Sequence, residues 1–408
     1  MARPPSIFDL AARTGALRLG RAITAGTVVV RDWGGRAVLG SGAPVVDVHV
    51  HDPRAYAAVW RGSVGLGDAF ARGWWDSDQL TDLLRLLHRN TAGPRRVLDR
   101  VFALARPLLD RGGRRRRPDR ARDRANVRAH YDVGNAFFSR MLDPTMTYSC
   151  ALFERPGMSL ADAQVAKLDH ICRDLALSPD DHVIEIGTGW GSFAVHAAST
   201  YGCRVTTTTI SAAQYDYACK RVADAGLADR VTVLDSDYRE LTGTYDKLVS
   251  IEMIEAVDWR DHDAFFAACA SLLRRDGCAA LQAIVIADEA FERSKHHDDF
   301  IRRSIFPGGC LPSVGSITRS ARRAGLRVVG LRDIGHHYAE TLERWRANLG
   351  PHQLAIEGLG LDNQFRRRWE FYLAYCQAAF LERHVSDVQL VLAMPGCREG
   401  LFTPASDN

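Results

Sequence analysis

The chain has 408 residues, of which 46% are apolar and 25% are charged. This is the composition of a globular protein with about two or three domains, and it excludes disorder over most of the chain. The formal net charge is only +4, which gives no argument for a dedicated nucleic-acid-binding protein, and no apolar run approaches the ~20 residues of a transmembrane helix.

Residues 1–110 predict a small domain of mixed α and β structure. Its first ten residues contain no apolar segment typical of signal peptides, so the cytoplasm is the expected compartment. Residues 27–30 and 45–50 are rich in valine and predict strands. The leucines in residues 78–88 recur at helical spacing and predict a helix.

An arginine-rich segment follows at residues 111–124, with the sequence RGGRRRRPDRARDR. Its glycines, its proline and its lack of apolar periodicity predict a linker between domains. One interpretation is a solvated hinge. The other is a patch for anionic lipid headgroups, to which each basic residue near the surface contributes about 1 kcal/mol. Nucleic-acid binding is disfavoured because no aromatic residues are interleaved with the arginines.

Residues 125–408 alternate between strand and helix patterns, and we interpret them as one catalytic domain. Such alternation predicts an α/β fold with a doubly wound, mostly parallel sheet. The predicted strands are residues 182–187, 204–208, 231–234, 247–251, 279–286, 327–331 and 388–393. The predicted helices are residues 192–201, 211–225, 316–324 and 365–382.

The nine cysteines follow no pattern of a metal site or a disulfide framework. Their number is odd, no two are spaced as C-x-x-C, and a chain of this length does not depend on disulfides for its core. We therefore expect no metal.

The first strand of the catalytic domain leads into a glycine-rich loop, Glu185-Ile186-Gly187-Thr188-Gly189-Trp190-Gly191. Glycines permit a tight turn and close approach of the backbone to a ligand. The spacing differs from the G-x-G-x-x-G pattern that seats a pyrophosphate. It resembles class I methyltransferases that bind S-adenosylmethionine, and a glycine turn without a ligand is the alternative.

Two later segments are candidates for the rest of this cofactor. No carboxylate follows the second strand in residues 206–214, so a hydroxyl or the Gln214 amide would bind the ribose. Asp237, Tyr238 and Arg239 follow the third strand, where adenine contacts usually fall. The alternative for each residue is stabilisation of its own loop.

Ordered sequence blocks in residues 125–395 resemble the cyclopropane fatty acid synthases and the related mycolic acid methyltransferases. The blocks are HYDVGN at 130–135, LDPTMTYSC at 142–150, SIEMIE at 250–255, FIRRSIFPGG at 300–309, HYAETLERW at 337–345 and WEFYLAYC at 369–376. A weaker likeness at residues 65–87 is to the smaller domain of longer bacterial members. It implies a domain for lipid access or dimer contact, with a spacer as the alternative.

The resemblance implies that a double bond in an acyl chain, usually on a membrane phospholipid, takes the methyl group of S-adenosylmethionine and becomes a carbocation. Loss of a proton then closes a cyclopropane ring. In some relatives a hydride shift comes first and gives a methylene branch, on which a separate reductase acts. The resemblance implies that the protein acts at the anionic inner membrane surface, to which it would bind as a peripheral protein. A homodimer is the expected assembly, since symmetric dimers are the commonest.

The resemblance also implies a bound bicarbonate ion as the base, in a dry pocket that tolerates a carbocation. Glu255 would orient the ion and Tyr338 would donate a hydrogen bond to it. The implied catalytic residues are Cys150, Glu255, Gln282, Ile284, Tyr338 and Cys376. Cys376 matches a cysteine once considered a nucleophile in this family, and we interpret it as a packing residue. The implied cofactor residues are Tyr148, Ser149, Glu185, Gly187, Thr188, Gly189, Trp190, Gly191, Thr209, Ile210, Ser211, Gln214, Asp237, Tyr238 and Arg239.

The sequence departs from the best-known members at three of these motifs. Gln282 replaces a frequent His, Ala256 replaces another, and Thr188 replaces a frequent Cys. A Gln amide can donate to an anion but cannot titrate. Some relatives that make methylene branches share this Gln, as do plant relatives that make rings, so we predict a methylene branch with cyclopropane as the alternative. Glu252 is left between two interpretations: it faces the cofactor pocket, or it caps a strand end.

Two other classes of protein are weighed against this prediction. A methyltransferase for a soluble small molecule could use the same scaffold. A catalytically silent lipid-binding protein is disfavoured, because Glu255, Tyr338 and the whole glycine loop are present.

Overall fold

The structure, a computed structural model, describes residues 4–91 and 133–398. The described residues form two compact units. The first unit comprises residues 4–91, 298–305 and 345–384, and the second comprises residues 133–297, 306–344 and 385–398. The sequence analysis placed one boundary in the arginine-rich segment, whereas the structure groups two later segments with the N-terminal residues. The segment itself lies outside the described residues, as do residues 130–132 of the first family block.

Eleven strands and fifteen α-helices are formed by the described residues. The strands are β1 (Gly26–Asp32), β2 (Gly35–Ser41), β3 (Val45–Val50), β4 (Trp75–Asp76), β5 (His182–Ile186), β6 (Arg204–Thr209), β7 (Val231–Asp235), β8 (Tyr245–Ile251), β9 (Leu273–Ile286), β10 (Arg327–Asp333) and β11 (Val385–Ala393). The helices are α1 (Ile7–Gly20), α2 (Arg54–Val59), α3 (Gly62–Ala71), α4 (Leu80–Thr91), α5 (Asn135–Met141), α6 (Leu160–Asp174), α7 (Ser192–Tyr201), α8 (Ala212–Asp224), α9 (His262–Leu272), α10 (Asp288–Ser294), α11 (Phe300–Ser304), α12 (Val314–Arg323), α13 (Gly335–Leu349), α14 (Gln353–Glu357) and α15 (Asn363–Leu381).

The first unit contains a four-stranded sheet in the order β2-β1-β3-β4. β1 pairs antiparallel with β2 and parallel with β3. The strands predicted at residues 27–30 and 45–50 and the helix predicted at 78–88 are therefore present. The sequence analysis missed α1, whose start is set by a capping box between Ser6 and Asp9. Such a box satisfies two backbone N–H groups at a helix start.

The second unit is built on a seven-stranded sheet in the order β10-β11-β9-β8-β5-β6-β7. The strands from β9 to β7 are parallel, and β11 runs antiparallel to both of its neighbours. This confirms the predicted α/β fold with a doubly wound, mostly parallel sheet. The strand order reverses beside β5, and ligands of such sheets bind outside the carboxyl ends of the strands at that point.

Both faces of this sheet are covered, as a parallel sheet requires. Within β5, Ile184 and Ile186 pack into the hydrophobic core on one face, together with Phe265 of α9. Val183 packs into the core on the other face, together with Phe193 of α7. Because successive side chains of a strand alternate between faces, β5 joins both cores and holds the loop that follows it.

Among the helices of residues 4–91 and 133–398, none has both the length and the apolar character needed to cross a bilayer.

Candidate active site

The glycine-rich loop joins the end of β5 to the start of α7. Gly187, Gly189 and Gly191 have φ angles of 104°, 53° and 84°, in the region that glycine adopts without steric cost. The backbone N–H groups of Gly187 and Thr188 both donate to the Thr208 carbonyl, at 3.1 and 3.0 Å. A Cβ atom on Gly187 would lie 3.2 Å from the Met253 side chain. The loop is thus tied to β6 and leaves little room for a larger residue at 187.

One cavity lies at the carboxyl ends of the parallel strands. Every predicted cofactor residue lines it except Gly191 and Ser211. Gly191 is the residue before α7, and the Ser211 hydroxyl accepts from the Gln214 N–H at the start of α8. Those two therefore shape the loops, while the other predicted cofactor residues face the same space.

The polar groups of this cavity are held by short contacts. The Asp237 carboxylate accepts hydrogen bonds from the Arg239 side chain at 2.8 and 2.7 Å. The Thr209 hydroxyl donates to the Gln214 side-chain oxygen at 3.0 Å. Glu185 accepts from the Thr207 hydroxyl at 2.6 Å, and burial raises the pKa of Glu185 to about 8. Glu185 is therefore largely protonated at neutral pH.

Lys167 of α6 lines the cavity and was missed by the sequence analysis. Its ammonium group is fully buried and donates to the Ser149 hydroxyl at 2.6 Å. Burial lowers the pKa of Lys167. Ala163, Lys167 and Ile171 are spaced four residues apart on one buried face of the helix. A lysine on an otherwise apolar helical stripe was the signal that could have found it.

Glu252 follows the end of β8 and collects three donors. The Cys150 backbone N–H and the Gln282 side-chain amide donate to its Oε1, at 2.7 and 2.9 Å. The Tyr338 hydroxyl donates to its Oε2 at 2.5 Å. Burial raises the pKa of Glu252 above its usual value. The structure thus brings three predicted catalytic residues together, but around a carboxylate that the sequence analysis left unassigned.

Glu255 and Ile284, also predicted as catalytic, form a separate contact. The Ile284 backbone N–H donates to Glu255 Oε1 at 2.5 Å. Burial and the nearby Glu252 raise the pKa of Glu255 to about 8. Its Oε2 has no hydrogen-bond partner among the described residues. Glu255 therefore links the turn after β8 to β9.

Two buried polar residues of β11 support Gln282 and were also missed. The Gln282 amide donates to the Asp387 carboxyl at 2.8 Å, and the Gln389 amide donates to the Gln282 oxygen at 3.1 Å. Burial and the charges of Glu252 and Glu255 raise the pKa of Asp387 well above its usual value. These polar side chains alternate with valine and leucine in the buried part of the strand, which was the available signal.

The family profile "Mycolic acid cyclopropane synthetase" matches residues 118–390, about two thirds of the chain. The chain belongs to this family. The resemblance stated from the sequence blocks is confirmed, and so is the predicted class of enzyme, a methyltransferase that uses S-adenosylmethionine in lipid modification.

Similarity to individual proteins covers more of the chain than the residues that the profile matches. The tuberculostearic acid methyltransferase UfaA1 of Mycobacterium tuberculosis is 37% identical over 364 residues, which are 87% of this chain and 84% of that protein. The cyclopropane-fatty-acyl-phospholipid synthase of Escherichia coli is 35% identical over 367 residues, 88% of this chain and 91% of that one. The solved mycolic acid cyclopropane synthase CmaA1 with SAH and CTAB is 32% identical at a TM-score of 0.62, covering 66% of this chain and 98% of that chain.

The described residues of this family member fit S-adenosylmethionine. The glycine loop opens onto the cavity at Gly189, where an added Cβ atom would meet nothing within 4 Å. Ser149 and Lys167 supply polar groups at the same cavity, and Tyr238 and Arg239 line it beyond the third parallel strand. These are donors and faces that a cofactor with an amino-acid end and an adenine end requires.

The described residues do not fit bicarbonate held by Cys150, Gln282 and Tyr338. All three groups donate to the carboxylate of Glu252. Of the residues in this cluster, Glu252 lines the cavity, whereas its three donors do not.

The predicted thiols are neutral. Cys150 is fully buried, and burial raises the pKa of its thiol. Cys376 stands on α15 in the first unit, whereas Glu252 and Glu255 belong to the second. Burial raises the pKa of the Cys376 thiol as well. Neither cysteine is activated as a thiolate, which supports the interpretation of Cys376 as a packing residue.

Proposed function

We propose that this protein transfers the methyl carbon of S-adenosylmethionine to the double bond of unsaturated acyl chains in membrane phospholipids and leaves a methylene branch of the 10-methylene type. The observation that carries the proposal is the buried Glu252 carboxylate on the wall of the predicted cofactor cavity. Methyl transfer to an alkene creates a positive charge, which a carboxylate on the cavity wall stabilises.

In the proposed reaction, the positive charge forms on the acyl chain. When bound, S-adenosylmethionine supplies an electrophilic methyl group. The electron pair of the double bond would form the new carbon–carbon bond as the bond between the methyl carbon and sulfur breaks and leaves its electron pair on the sulfur. The neighbouring carbon of the chain would then become a cation. A hydride shift moves the charge to the methylated carbon, and loss of a proton from the methyl group leaves a methylene branch.

The surroundings of Glu252 suit a carbocation. Gln282 is 1% exposed and Asp387 is 0% exposed, so water has little access to the groups behind the carboxylate. Tyr148 lines the same cavity and packs against Phe138 at a centroid distance of 5.4 Å. An aromatic face and a carboxylate in a dry site both stabilise positive charge, and exclusion of water protects the cation from hydrolysis.

Cyclopropane formation is the alternative outcome at the same double bond. It follows from the same carbocation if the methyl group loses its proton before a hydride shift. The similarity to the Escherichia coli synthase over 88% of the chain favours it, whereas Gln282 favours the methylene branch. The remaining parts of the proposal are peripheral binding at an anionic inner membrane surface, a homodimer and a reductase that acts on the product.

The test is incubation of the purified protein with S-adenosylmethionine labelled in its methyl group and vesicles of oleoyl phospholipid. We expect label in the acyl chains, and none with matched vesicles whose chains are saturated. Absence of label in oleoyl lipid would contradict the proposal. Methylation of soluble acceptors without vesicles would favour a small-molecule methyltransferase instead.

A further inference from the structure

We infer that the carboxylate of Glu252 takes the position expected for bicarbonate and itself accepts the proton that the methylated acyl chain loses. This inference rests on the proposed function and assigns its base. It makes the reaction of this protein independent of bicarbonate.

The first support is the set of donors. Oε1 of Glu252 accepts from the Cys150 N–H and the Gln282 amide, and Oε2 accepts from the Tyr338 hydroxyl. A carboxylate and a bicarbonate ion present the same planar pair of oxygens, each with two acceptor sites. The three donors that would hold the ion are thus directed at a group of the same charge that presents a similar pair of acceptor oxygens.

The second support is the direction of the side chain. Glu252 lines the cofactor cavity, whereas its donors Cys150, Gln282 and Tyr338 do not. Glu252 has a φ angle of 48°, which is rare for a residue other than glycine and is concentrated at functional sites. Its backbone N–H donates to the Gln282 carbonyl at 2.8 Å. The backbone is therefore held in an unfavourable conformation at a residue that lines the cavity.

The third support is the charge around the cluster. Asp387 and Glu255 lie near Glu252, and burial raises the pKa of all three carboxyl groups. For Glu252, the hydrogen bonds from Tyr338 and the Cys150 N–H oppose this rise in pKa. The Cys150 thiol is neutral, and Lys167 attracts the Glu252 carboxylate. Glu252 alone of the three carboxyl groups has donors on both oxygens from a backbone N–H, an amide and a hydroxyl. The negative charge of the cluster is thus best stabilised on Glu252.

The proton transfer balances without a further reactant. A C–H bond of the new methyl group breaks, and its electron pair forms the double bond of the methylene branch. The proton goes to a carboxylate oxygen of Glu252, which becomes a neutral carboxylic acid. The acid returns the proton to solvent after the product leaves.

Two variants distinguish proton transfer to the Glu252 carboxylate from proton transfer to a bicarbonate ion. Glu252→Gly removes the side chain, suits the positive φ angle, and opens the donors to a bicarbonate ion. Glu252→Gln keeps the volume and an acceptor oxygen but cannot take a proton. In buffer freed of carbon dioxide we expect each variant to lose about 100-fold or more in turnover, the scale of a missing general base. Millimolar bicarbonate should restore the Gly variant by about tenfold or more and leave the Gln variant unchanged.

The wild-type protein provides the decisive comparison. We expect its turnover on oleoyl vesicles to be equal with and without bicarbonate. We also expect carbon-13 NMR to show that labelled bicarbonate binds the Gly variant but not the wild type. Wild-type activity that requires bicarbonate, or wild-type binding of the ion, overturns the inference while the proposed function stands. Wild-type protein that labels no lipid in either buffer contradicts the proposed function, and the NMR comparison still decides the inference.

Discussion

The glycine loop and Glu252 line one cavity, but the chain positions the loop and the cluster around Glu252 by different means. The loop positions backbone groups, and its shape depends on glycines with positive φ angles at 187, 189 and 191. The cluster positions side chains from separate segments, since Cys150, Gln282 and Tyr338 meet at Glu252. We propose that the loop determines cofactor binding and that the cluster determines turnover. The predictions below test this separation.

The largest effect is expected at Glu255. Its carboxylate holds the Ile284 N–H at 2.5 Å, two residues after Gln282, which donates to Glu252. Glu255→Ala leaves a buried N–H unpaired and disturbs the strand that carries Gln282. We expect turnover to fall about 100-fold or more, with the affinity for S-adenosylmethionine changed by no more than about twofold. Steady-state kinetics and calorimetric titration of the cofactor measure the two quantities.

Glu255→Gln is the matched control, because its amide oxygen can still accept from Ile284. It should retain much more activity than Glu255→Ala if Glu255 acts by positioning. Full activity in Glu255→Ala would show that this residue is not part of the cluster's function.

The second largest effect is expected at the glycine loop, where the affinity for the cofactor should fall while turnover stays nearly the same. Gly187→Ala places a Cβ atom 3.2 Å from Met253 at a φ angle of 104°. We expect about tenfold weaker binding of S-adenosylmethionine, with turnover at saturating cofactor nearly unchanged. Gly202→Ala is the control, because Gly202 has a φ angle of 72° but does not line the cavity. Equal loss of affinity in both variants would mean that general destabilisation, and not the loop, explains the result.

A smaller effect is expected on the pH dependence of protein stability, through the carboxyl group of Glu185. The folded state raises the pKa of this carboxyl from 4.5 to about 8, so the folded protein holds its proton more tightly than the unfolded chain. Stability should therefore decline as pH rises from about 4.5 to about 8 and level off above that range. Glu185→Gln should flatten the decline in Tm across this range in thermal scans. A decline of unchanged slope would indicate that Glu185 is ionised in the folded protein.

The smallest effect on the chemistry is expected from the arginine-rich segment, residues 111–124. Replacing its eight arginines with serines should weaken sedimentation with anionic vesicles, since each basic residue near a membrane contributes about 1 kcal/mol. Cofactor affinity should stay the same. Unchanged binding to anionic vesicles would favour the solvated hinge.

The sequence predicted the backbone-determined parts of this molecule better than the side-chain cluster. The sheet was predictable because short segments rich in apolar or β-branched residues alternate with helical segments. The glycine loop was predictable because its spacing reports backbone conformation. The role of Glu252 was not, because it depends on where Gln282 and Tyr338, distant in sequence, direct their side chains. Lys167 and Asp387 each interrupt an apolar pattern, but their contacts with Ser149 and Gln282 depend on how distant segments pack.

The most direct test of the central claim is ozonolysis of the lipid product formed from oleoyl vesicles and S-adenosylmethionine labelled in its methyl group. A methylene branch is cleaved by ozone and releases the label as formaldehyde, leaving a ketone within the acyl chain. We expect the label to be released as formaldehyde. A labelled product that resists ozone, as a cyclopropane ring does, would contradict the methylene branch, and an acyl chain without label would contradict methyl transfer to lipid.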